Sequence, residues 1–178
     1  MKHTYRAFVL AGLALFLVTG IAGAENKYVG VAKCKTCHSV EKMGGLAYKV
    51  WEKSSHARAF ETLKTKAADE LAKKKGLKTP AAESPECLKC HVAGTAAEVK
   101  KEEGVSCEAC HGAASAFLPI HNKIENLEKA VAAGLVIPKK GDSKFCERCH
   151  NAESPSFKGF KMAEAWAKIE HKGAVKPK

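Results

Sequence analysis

The chain has 178 residues, 46% hydrophobic and 28% charged, with a formal charge of +11 at pH 7. That balance excludes a disordered polyelectrolyte, and the length suits one domain rather than several. Lys2 and Arg6 sit in a leader segment, so 28 basic against 19 acidic residues remain beyond it, a formal +9.

Residues 1–24 have the layout of an export signal. Lys2 and Arg6 form a charged n-region, residues 7–20 are almost wholly apolar, and Ala22-Gly23-Ala24 is a small-residue cleavage site. The apolar run is short for a bilayer span, so cleavage after Ala24 is expected rather than an anchor. The expected mature domain is 25–178, soluble and periplasmic, with no stable membrane insertion.

Beyond the leader, four copies of Cys-x-x-Cys-His punctuate the chain. The first is Cys34, Cys37 and His38. Residues 48–75 then read as a helix, with Trp51, Ser55, Leu63 and Ala67 among its inner positions and Gly76 as its stop. Pro80 and Ser84-Pro85 mark a loop into the second copy, Cys87, Cys90 and His91. A short helical piece over 96–103 ends at Gly104, ahead of the third copy, Cys107, Cys110 and His111. Ile120, Ile124, Leu127 and Val131 share one face of a predicted helix closed by Gly134. Pro138, Gly141 and Asp142 turn the chain into the fourth copy, Cys146, Cys149 and His150. A last helix over 161–171 carries Met162, Trp166 and Ile169 on its apolar side. No strand alternation is seen, so the expected class is mainly α: an irregular multihaem fold of short helices wrapped around four covalently bound haems.

That cofactor follows from the chemistry of the repeated string. Two thiols add to the porphyrin vinyl groups, and the next residue, an imidazole, ligates the iron. A redox dithiol or a zinc site also uses Cys-x-x-Cys, and the 16 residues between Cys90 and Cys107 match a zinc-ribbon spacing. Neither explains a histidine after the second cysteine four times over. All eight cysteines fall in these strings, leaving none for a disulfide. Four large planar groups in so short a chain would replace an ordinary core. The short step from Cys87 to Cys107 suggests that haems two and three lie close together.

Histidine arithmetic singles out one site. Of eight histidines, His3 lies in the leader and His38, His91, His111 and His150 are proximal ligands. Only His56, His121 and His171 remain for four distal positions. One haem should therefore be five-coordinate, with Met43 or Met162 the available thioether alternatives. Ionised propionates lower the net charge to about +5 with ferric and +1 with ferrous haems, which does not call for nucleic acid. The lysines at 64, 66, 73, 74, 75 and 78 read as a solvated helix face, with docking of an acidic redox partner the sharper alternative.

The ordered motifs resemble the tetrahaem cytochrome c-554 family. The matching residues are Tyr28-Val29-Gly30 before Cys34, then Trp51 and residues 54–59, CLKCHVAG from Cys87, Gly104-Val105-Ser106 with CEACHG, His121, the string at Cys146, and His171. The resemblance implies a periplasmic electron carrier in which His38 pairs with His121, His111 with His171 and His150 with His56, leaving His91 alone. It also implies closely packed haem pairs. Three functions are expected in order: an electron shuttle between a redox-protein donor and acceptor, working as a monomer; reduction of nitric oxide or another nitrogen oxide at the open haem; and a subunit of a larger respiratory complex. No catalytic acid, base or nucleophile is identified.

Overall fold

The computed structural model describes residues 25–94 and 97–172, so the expected export signal lies outside the described residues. Short helices and turns make up the described chain, and no strand occurs among the described residues. The fold is mainly α, as the patterning predicts.

Local chemistry explains why the helices are short. Helix α1 (Val31–His38) starts after Gly30, which sits at φ 82°, and ends on the first motif histidine. Two small helices, α2 (Glu41–Gly44) and α3 (Ala47–Lys53), fold back against it. The single helix expected over 48–75 is instead broken twice. Ser54 is extended (φ −77°, ψ 163°), with its hydroxyl donating to the Trp51 carbonyl at 2.7 Å. A 3-10 turn (His56–Arg58) and α4 (Ala59–Leu63) follow, then Thr65, extended again, caps α5 (Lys66–Lys74) by accepting from the Ala68 amide. Ser and Thr side chains that bond nearby backbone stop helices as readily as they start them. Gly76 does close α5, at φ 74°.

Helix α6 (Pro85–His91) opens on a proline, whose missing N–H costs nothing at a helix start, and ends on the second motif histidine. The helical piece expected over 96–103 shrinks to a 3-10 turn at Lys101–Glu103. Helix α7 (Cys107–His111) is the third motif itself. The predicted helix from Ile120 is a 3-10 turn (Ile124–Asn126) leading into α8 (Leu127–Ala132), with Ile120 in the turns before it. Asp142 caps α9 (Ser143–Glu147), and α10 (Met162–Ile169) lies within the predicted last helix and packs on α3.

The apolar interior is thin. Phe60, Leu63, Ala72, Ala81, Leu88 and Val92 form one buried cluster between α4, α5 and α6. Ala114, Phe117 and Ala130 form a smaller one, flanked by Val29, Ile120 and Leu135. Several large apolar residues are exposed, among them Val131, Val136 and Ile137. Hydrogen bonds compensate by lacing the segment before α1 across the chain. Asn26 donates to the Ala133 carbonyl at 2.8 Å, and Lys27 exchanges bonds with Ser115.

Candidate haem-attachment sites

Each motif histidine is placed by the helix that carries its cysteines. In motifs one, two and three the histidine is the last residue of α1, α6 or α7. In motif four, His150 lies just beyond α9, with its amide bonded to the Cys146 carbonyl. Backbone carbonyls then orient the rings. Nδ1 donates from His38 to Gly44 (2.7 Å), from His91 to Ala59 (2.7 Å) and from His111 to Val136 (2.9 Å). His121 and His171 do the same toward Leu118 and Ile169, each at 2.9 Å. A proton fixed on Nδ1 leaves the Nε2 lone pair free for a metal.

The rings stand in pairs. His38 and His121 have centroids 6.1 Å apart and planes inclined by 19°. His56 and His150 are 5.9 Å apart at 55°, and His111 and His171 are 5.8 Å apart at 63°. Burial, the largest cause in each case, holds His38, His56, His111 and His150 below the usual imidazole range, with neighbouring imidazoles adding to the effect at the first three. They are therefore neutral at pH 7, the state in which an imidazole ligates. His38 and His111 each feel both His121 and His171, so motifs one and three share one electrostatic neighbourhood.

His91 differs from the other three motif histidines. Its Nδ1 side is held by Ala59 and by the Thr62 hydroxyl at 3.2 Å, and among the described residues no ring stands against it. Met43 lies on α2 beside motif one and is 60% exposed; Met162 begins α10, which packs on α3. Phe160 stacks on His150 at 4.8 Å and 18°.

The cysteines come together across motifs in a different order from the sequence. The hydrogen bond that the Cys107 thiol donates to Cys34, together with burial, raises Cys107, which puts motif one against motif three. Burial and Cys149 push Cys90 to about 11, linking motif two to motif four. Burial and Cys146 raise Cys110, linking three to four. These interactions link motif one to three, three to four and two to four.

Several features fit c-type haem at motifs one, three and four. Two nitrogens each about 2 Å from a shared metal put imidazole centroids about 6 Å apart, which is the spacing of all three pairs. Val136, whose carbonyl accepts from His111, and its neighbour Ile137 are exposed apolar residues that suit a porphyrin face. Among the described residues Ser39 Oγ and Trp166 Nε1 are buried donors without a partner, and a propionate oxygen would satisfy either. Among the described residues no three His, Cys, Asp or Glu side chains converge as an ion's donor set.

Two residues escaped the sequence reading. Glu108 lies buried within motif three, its carboxylate accepting from the amides of Val29, Gly30 and Ala114. Glu103 accepts from Val31. The available signal was only an acid in the first turn of a short helix, where acids are common.

Residues 33–112, which include motifs one, two and three, match the family described as "Cytochrome c554 and c-prime". Cytochrome c-554 of Nitrosomonas europaea is 32% identical over 127 residues, covering 64% of this chain and 51% of that protein. The chain thus spans about half the length of the curated relative it matches. No solved structure gives a significant match. Over these residues the chain is thus similar to the cytochrome c-554 family.

Proposed function

We propose that this chain is an exported electron carrier of the periplasm, with four covalent c-type haems held by the cysteine pairs 34/37, 87/90, 107/110 and 146/149. The observation that carries the reading is the three imidazole pairs at 5.8–6.1 Å, each joining one motif histidine to one histidine from elsewhere in the chain. When bound, the haems supply one-electron redox chemistry between ferric and ferrous iron. The chain's own residues set the ligation. His38 with His121, His111 with His171 and His150 with His56 serve three irons, and His91 serves the fourth with its opposite face open.

The packing of α7 on α1, the Arg148 bond to the Ala109 carbonyl and the Lys89–Glu153 pair support a spatial order of one–three–four–two. The motif without a partner ring then stands at one end of the series. A redox-protein donor and acceptor exchange electrons with it, and the chain acts as a monomer. The lack of a ring against His91 also favours a second reading, binding and reduction of nitric oxide or a related nitrogen oxide at that face. Membership of a larger respiratory complex has no comparable observation behind it.

Electron paramagnetic resonance of the oxidised protein tests the ligation. Three low-spin centres and one high-spin centre are expected; four low-spin centres would overturn the open face. Stopped-flow mixing of the reduced protein with nitric oxide separates the two readings, since a reaction no faster than autoxidation leaves only the carrier.

A further inference from the structure

Glu108 is an acid in an unusual place. It sits inside the third haem-attachment string, between Cys107 and Cys110, and is 4% exposed. Val29 donates to its two oxygens at 3.0 and 3.1 Å, Gly30 at 2.9 Å and Ala114 at 2.8 Å. Two of these amides immediately precede helix α1 and the third follows motif three, so one carboxylate ties both motifs together. Glu103 adds a 2.9 Å bond from Val31. Bonds to a charged acceptor are stronger than neutral ones.

The charge reaches both attachment points. Glu108 opposes ionisation of the Cys34 and Cys107 thiols alike, and Glu103 does so at Cys34. In the low dielectric of a buried site, such a charge acts far more strongly than it would in water. Reducing ferric to ferrous iron adds one electron, taken from the protein donor or a chemical titrant. A nearby fixed negative charge opposes that addition, and net local charge is among the levers that set a haem potential.

We propose that Glu108, seconded by Glu103, is a positioning and tuning residue that locks motif one to motif three and lowers the reduction potentials of the two haems they hold. This rests on the four-haem reading. It gives that end of the series a built-in bias: electrons are less welcome at motifs one and three, and move on toward motifs four and two.

Two variants separate charge from shape. Glu108→Gln keeps the side chain's length and an acceptor oxygen but removes the charge; Glu108→Asp keeps the charge and shortens the reach. Each is followed by haem-resolved redox titration, amide hydrogen exchange and haem content from pyridine haemochrome. Glu108→Gln should raise the midpoints of the haems at motifs one and three and leave the other two in place. Glu108→Asp should speed exchange at Val29, Gly30 and Ala114 with a smaller rise. Unchanged midpoints in a four-haem Glu108→Gln protein overturn the proposal, as do equal shifts in the two variants. If neither variant assembles, Glu103→Gln decides: a rise confined to motif one supports it and no rise overturns it. A wild-type protein with fewer than four haems would overturn the four-haem reading instead.

Discussion

Replacing Gly104 by alanine should damage the site of motif four from a position well outside that motif. Gly104 closes the Lys101–Glu103 turn at φ 61° and ψ −145°, a combination that side chains rarely adopt. A Cβ there would lie 2.5 Å from the His56 carbonyl oxygen and 3.1 Å from that of Ala57, both fixed backbone atoms. The neighbouring Val105 amide bonds the same His56 carbonyl at 3.0 Å. Backbone strain of this kind costs about 1–3 kcal/mol, and a displaced hydrogen bond about 1 kcal/mol more, for a total of about 2–4 kcal/mol. For a chain of this size that corresponds to a fall of about 4–16 °C in Tm. Because the strained atom belongs to His56, the expected damage is specific: the His56–His150 pair opens and a second high-spin centre appears. Gly76→Ala is the control, since its φ is 74° but nothing lies within 4 Å of the added Cβ. It should cost about 1 kcal/mol and leave the spin states alone. A Gly104→Ala protein that melts within 2 °C of wild type (about 1 kcal/mol or less by the same scale) and shows one high-spin centre would refute the reasoning.

Trp51→Phe removes the 2.9 Å bond from the indole N–H to the Val105 carbonyl and should cost about 1–3 kcal/mol in chemical denaturation, with no change in haem content. His171→Ala should convert one low-spin centre to high-spin, read by electron paramagnetic resonance, and leave the haem content unchanged. The three ring pairs also differ in inclination. The 19° pair should give an ordinary rhombic low-spin spectrum, and the 55° and 63° pairs the large-gmax type expected of crossed ligand planes. Three identical rhombic signals would contradict those orientations.

The sequence was most legible where chemistry is carried by short strings. The four Cys-x-x-Cys-His motifs and the shortage of histidines could be read without any fold. Which distal ring meets which motif is a different kind of fact. His121 reaches His38 across 83 positions of chain, and no local pattern encodes that; only the family resemblance suggested the pairing. The helix drawn over 48–75 failed because apolar periodicity is blind to Ser54 and Thr65, whose hydroxyls compete for backbone partners. The packing of α7 on α1 is equally non-local, since it joins motif three to motif one across the whole of motif two. Glu108 was hidden for a related reason: its partners, Val29 and Gly30, are 79 and 78 residues away.

The account stands on porphyrin attachment at every cysteine pair. Intact mass of the mature protein, read beside pyridine haemochrome absorbance, measures it directly. Four haems per chain, all retained after acid–acetone extraction, is the expected result. A chain that releases its haem on extraction, or that carries three or fewer, would contradict it.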